Sequence, residues 1–158
     1  MCKVCWASLL VSLLVVIIMA YKFIISGETI TASDGRQALV LTEPERDLVL
    51  TEMRTFLQSV QQITFGVSHK DMALVVSSAK AVGAAAQNSV PGSLIKKLPL
   101  DFKKLGFDTH QKFDQLAMDA EEFGDPAHSL RQLTELMSNC VACHELYRID
   151  QQPGMAVR

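Results

Sequence analysis

DPAHSLRQLTELMSNCVACHELYR, residues 125–148, carries a helix signature and a chemical motif in one run. Asp125 suits an N-cap and Pro126 the first helical position. Leu130, Leu133, Leu136, Met137, Cys140, His144 and Tyr147 then recur at steps of three and four, which puts them on one inward face. Within that helix, Cys140-Val141-Ala142-Cys143-His144 has the spacing CxxCH. Cysteines three apart and a histidine four past the first project from the same side. Each thiol can add across a vinyl group of haem, and the adjacent histidine can reach the iron, so the motif implies one covalent haem c held through Cys140 and Cys143 with His144 as metal ligand. CxxC also serves zinc and thioredoxin-like centres. Zinc would need two more ligands, and neither His110 nor His128 stands in a second compact cluster; a redox motif opens a helix after a strand.

Upstream, three more amphipathic helices are expected. The first starts near Pro44, with Thr42 as N-cap and Glu43, Glu45 and Asp47 at the positive end of its dipole. Its stripe runs Val49, Leu50, Met53, Phe56, Leu57, Val60 and Ile63, and Gly66 ends it. The second opens at Ser68, where Ser-His-Lys-Asp has capping-box spacing, and continues to Ala86. Asn88 to Pro99 breaks helical continuity, and a third helix runs from Asp101 through Phe102, Leu105, Phe113, Leu116, Ala117, Ala120 and Phe123. Gly124 separates it from the helix at 125–148. The expected fold is all-α, an antiparallel four-helix bundle over residues 43–150, with no competing strand signal and a tail at 151–158.

Ahead of this domain, VCWASLLVSLLVVIIMAY from Val4 to Tyr21 is free of charge, and Lys22 can snorkel its ammonium to the headgroups. Trp6 and Tyr21 stand where interfacial aromatics belong. Residues 1–25 therefore read as a single transmembrane helix, an uncleaved signal anchor. A cleaved signal peptide is the competing reading, but no A-x-A pattern accompanies the stretch. Residues 26–42, rich in Ser, Gly, Thr, Asp and Glu, read as a linker. Cys2 and Cys5 repeat the CxxC spacing without a following histidine and read as small apolar residues at a membrane edge.

Composition narrows the classes. In 158 residues with 49% hydrophobic content there is room for one core and one extra segment. A net charge of -2 gives no basic stripe for nucleic acid. A mean hydropathy of +0.19 owes its positive sign mostly to the first 25 residues.

The late helix ending Cys140-x-x-Cys143-His144-x-x-Tyr147-Arg148 resembles the four-helix cytochromes of the cytochrome c-prime type, or class II cytochromes c, over residues 43–149. That resemblance implies proximal ligation by His144, with Arg148 close to the haem; a solvated helix end is the other reading of Arg148. It also implies that the first helix faces the opposite side of the iron. There Met53, between Leu50 and the pair Phe56 and Leu57, is the expected second ligand, since a thioether is a soft donor that raises the potential. Another register of the helix puts Leu50 over the iron and leaves an open site. Met72 and Met137 read as core, and His69, His110 and His128 as exposed or structural.

The expected function is that of a non-enzymatic electron carrier, single-pass in a bacterial inner membrane, with its haem domain in the periplasm and redox proteins as partners. The alternatives are a five-coordinate binder of nitric oxide or carbon monoxide, and a haem subunit of a larger membrane complex. The resemblance further implies dimerisation through the first two helices.

Overall fold

The computed structural model describes residues 3–151 and is mostly helical. Cys2 and residues 152–158, and with them part of the N-terminal CxxC reading and most of the expected tail, lie outside the described residues. The first helix, α1 (Lys3–Ala20), runs into a π-helical turn at Tyr21–Ser26. The helical stretch Val4–Ser26 holds an 18-residue window with a mean hydropathy of 2.5, none of it buried, so it is long and apolar enough to cross a membrane.

The next segment departs from the expected linker and from a purely helical fold. β1 (Thr29–Thr31) pairs antiparallel with β2 (Gln37–Leu41), and β2 pairs in parallel with β3 (Tyr147–Gln151). Gln37 lies opposite Tyr147 and Leu41 opposite Gln151. Ala38, Leu39 and Leu41 are fully buried. The polar residues flanking QALVL mask a five-residue strand, and its partner lies at the other end of the domain, beyond the reach of any local pattern.

Thr42 caps α2 (Glu43–His69) as expected. The Glu45 carboxylate accepts from the Thr42 N–H at 3.0 Å and hydroxyl at 2.8 Å, and pairs with the Lys97 ammonium at 2.7 Å. Burial works against the charge on Glu45, but the Lys97 and Thr42 contacts outweigh it and hold its pKa below the ordinary carboxylate value. Gly66 does not end the helix. It continues to His69, and Lys70 takes the left-handed turn at φ 58°. The Ser68 capping box therefore does not form: Ser68 donates back to Phe65 O at 2.8 Å, and Asp71 caps α3 (Met72–Lys80) by accepting from Leu74 N. α3 is shorter than expected. The chain turns at Gly83, where an added methyl would overlap the Asp114 carboxylate, and continues as a 3-10 segment at Ala84–Ser89.

Within the expected break lies another helix, α4 (Gly92–Lys97), before α5 (Leu100–Phe123). Asp125 and Pro126 open α6 (Pro126–Leu146) as anticipated, but the helix stops before Tyr147, which starts β3. α2 packs on α3 and α6, and α5 packs on the same two. Ile63, Val75, Phe113, Leu116, Leu133 and Leu136 fill the core between them. A second core of Leu39, Leu41, Val49, Leu94 and Leu98 lies between the sheet, α2 and α4.

Gly27 joins the π-turn to this second core. Its φ is 62°, and an added Cβ would stand 2.5 Å from both Lys97 O and Pro99 N. A left-handed backbone costs a non-glycine residue about 1–2 kcal/mol before any overlap. Gly35 has φ 84° but open space around its Cβ position. Gly27→Ala should therefore lower the Tm of the detergent-solubilised full chain by at least ~3 °C and by more than Gly35→Ala, read by circular dichroism; equal shifts would show that the Gly27 contact does not matter.

Candidate functional site

Between the two cores lies a cavity of about 510 Å³, a volume within the usual range for cofactor pockets. α6 brings Cys140, Cys143 and His144 to its wall, and α2 brings Leu50, Met53, Phe56 and Leu57. Residues nearly ninety positions apart thus share one space. Tyr147 and Arg148 are not in the lining. Tyr147 packs edge-on against Phe102 at 5.3 Å, and Arg148 pairs with Asp150 at 2.8 Å and Asp34 at 3.3 Å.

Other lining residues were not singled out from sequence. Leu94, Ile95 and Leu98 come from α4 and its C-cap, and Phe102, Lys103 and Phe107 from the start of α5. Leu94, Leu98, Phe102 and Leu105 keep the helical step across Pro99, a periodicity hidden by treating Asn88 to Pro99 as a break. Met137, expected in the core, is exposed and lines the cavity, as do the exposed Leu48, Leu57 and Phe107. Large apolar side chains gathered around one opening mark a surface that something apolar covers.

Neighbouring contacts hold the CxxCH segment in place. Asn139 donates to Asp108 at 2.7 Å and to Thr109 at 3.2 Å, which braces α6 on α5 immediately before Cys140. At the other end the Arg36 guanidinium donates to the carbonyls of His144 at 3.3 Å and Tyr147 at 3.5 Å, satisfying acceptors left open by the helix terminus. Arg36 is itself held by Asp34 at 2.7 Å. The hydrogen bonds from Arg36 keep the Asp34 carboxyl at about 2.

Both motif cysteines are half-buried free thiols. Burial pushes Cys143 up to about 11, with the neighbouring Cys140 adding to it, and burial raises Cys140 as well. Disulfide oxidoreductases need the reverse, a thiol lowered toward the thiolate. Among the described residues no three His, Cys, Asp or Glu side chains converge as a metal-ion site, so a tetrahedral zinc centre has no second pair of ligands here.

The histidines differ in their engagement. His69 contacts Ser68 and Phe65 O, and His128 contacts Asp119. His110, which sequence left as exposed or structural, is buried. Its Nδ1 meets Val82 O at 2.8 Å, its Nε2 meets Glu52 at 3.2 Å, and its ring lies 4.9 Å from that of Phe56. Among the described residues no hydrogen bond or ion pair engages the His144 ring, which leaves both its nitrogens available at the cavity. The chain matches no model of a protein family, no curated protein and no solved structure.

Burial disfavours the charged form of His110, but Glu52 and the Val82 carbonyl outweigh it and raise its pKa above 6.5. A raised folded-state pKa means that this pair contributes fully below pH 6.5 and less as pH climbs through the folded value. The Tm should fall across that window, and Glu52→Gln should flatten the fall; an unchanged slope in the variant would remove Glu52 as its cause.

Proposed function

We propose that this chain is a membrane-anchored c-type cytochrome that carries electrons through one covalent haem. The observation that carries the reading is the shared cavity, in which Cys140, Cys143 and His144 of α6 face Met53 of α2 across an apolar wall. Cys140 and Cys143 would hold the macrocycle as thioethers, and His144, whose ring is otherwise unengaged, would ligate the iron. When bound, the group supplies a one-electron ferric–ferrous couple. The exposed Leu57, Phe107 and Met137 would cover its faces and exclude water, which strengthens electrostatics around the site. Met53, half-buried, would be the soft second ligand.

The packing of α2, α3, α5 and α6 supports reading them as an antiparallel four-helix bundle of the cytochrome c-prime kind. The apolar segment from Val4 to Ser26 supports a single-pass anchor, and the reading of a bacterial inner membrane with the haem domain in the periplasm rests on the CxxCH motif. Redox proteins are the proposed partners. A second reading, a five-coordinate binder of small gases, is favoured by one observation: Leu50 lines the same cavity one turn before Met53, so a register with an apolar residue over the iron fits the same wall.

The test is expression of the full chain with haem-attachment machinery. Haem should survive denaturing electrophoresis in the wild type and be lost in the Cys140→Ala, Cys143→Ala variant; a wild type without covalent haem would overturn the proposal. The ferrous spectrum should be low-spin, and Met53→Ala should turn it high-spin and open the iron to carbon monoxide. A wild type that is already high-spin and binds carbon monoxide rapidly, unchanged by Met53→Ala, selects the gas-binding reading.

A further inference from the structure

No slack separates the apolar span from the domain. Gly27 follows Ser26 directly and is seated against the backbone of Lys97, Leu98 and Pro99. Glu28 N donates to Lys97 O at 2.7 Å, and the Lys103 ammonium donates to Ile24 O at 3.3 Å. The π-turn that ends the span touches both α4 and α5. Ile24 belongs to the last turn of the span, so Lys103, bonded to it, stands at the depth where that span leaves hydrocarbon.

Charge at this junction is predominantly positive. Lys22 on the π-turn, Lys96 on α4 and Lys104 on α5 are exposed, Lys103 bonds the Ile24 carbonyl, and Lys97 is neutralised by Glu45. Against these four ammonium groups besides Lys97 stand the carboxylates of Glu28 and of Asp101, the latter in an exposed pair with Lys104. Such a pair is worth little in water. The chain as a whole is slightly acidic, so this excess of positive charge is local.

We propose that α4 and the first turn of α5 rest on the headgroup layer of an anionic bilayer, their lysines against lipid phosphates. The inference rests on reading Val4–Ser26 as membrane-spanning. Continuity with that span selects the bilayer as occupant, and the lysine excess selects anionic lipid, toward which each lysine near the surface contributes about a fivefold preference. Ile95, Leu98 and Phe102 of the same segment line the cavity, so the cavity is held at a fixed height above the membrane.

The experiment uses the full haem-loaded chain in nanodiscs of phosphatidylcholine with or without phosphatidylglycerol. A benzophenone amino acid replaces Ser93 on α4 or, in a separate variant, Phe65, which lies roughly 25 Å along α2 from Val49. Quenching of Trp6, the one tryptophan, by brominated acyl chains reports insertion of the span. The expected result is a lipid adduct at Ser93 and none at Phe65, with the Ser93 yield falling severalfold without phosphatidylglycerol and in Lys96→Glu/Lys104→Glu. Equal labelling at both positions, a Ser93 yield indifferent to phosphatidylglycerol, or a quenched Trp6 with no adduct at Ser93 would each overturn the docking while leaving the anchor intact. An unquenched Trp6 would overturn the anchor itself and the docking with it.

Discussion

The ladder between Gln37–Leu41 and Tyr147–Gln151 joins the two ends of the domain, and most of what lies between depends on that closure. It brings the segment that leaves the apolar span alongside the residues that follow the CxxCH helix. Its buried side chains, Leu39 and Leu41, seed the second core, against which α2 and α4 set their first turns. The hairpin between β1 and β2 also carries Asp34 and Arg36, and these reach the end of α6 and Arg148. Five residues of sheet thus orient the terminus of the helix on which the proposed haem chemistry depends, although the molecule is otherwise helical.

The helices were legible because their signals are local. Thr42 with Glu45 and Asp125 with Pro126 mark helix starts within four residues, whereas of the apolar stripe of α2 only Val49 and Ile63 are buried, alongside Ser59 and Gly66. The sheet went unread: the β1–β2 hairpin carries only the local turn signal Asp34-Gly35 and a three-residue first strand, and β3 pairs with β2 in parallel, with no turn between them. α4 escaped for a different reason: Pro91, Gly92 and Pro99 are loop residues by type, yet they bound a single helical turn and a half whose leucines face inward. In the second helix, capping chemistry at Ser68 competed with a better cap at Asp71, and the geometry of the Lys70 turn decided between them.

For the candidate site the division is similar. Cys140, Cys143 and His144 follow from spacing; Leu50, Met53, Phe56 and Leu57 share one helical stripe, and only the resemblance to the four-helix cytochromes implied that it faces the CxxCH helix. Glu52 and His110 are absent from any motif. They meet although α2 and α5 each pack chiefly on α3 and α6, and together they place a buried imidazole and a partly exposed carboxylate on the cavity wall. Tyr147 and Arg148 illustrate the reverse: a sequence neighbour four residues from His144 can leave the site altogether when the helix ends and a strand begins.

β3 is the last described segment of the chain, and its partner β2 precedes every helix of the domain. During synthesis, β2 therefore emerges early and waits, its apolar residues without their β3 partner, until some hundred residues have followed; closing so long a loop makes this pairing a late step. Until then Arg36 has no carbonyl of α6 to bond, and the end of the CxxCH helix is free to fray. The order of the chain thus sets a window before closure, after which Cys140 and Cys143 stand half-buried at the wall of the cavity.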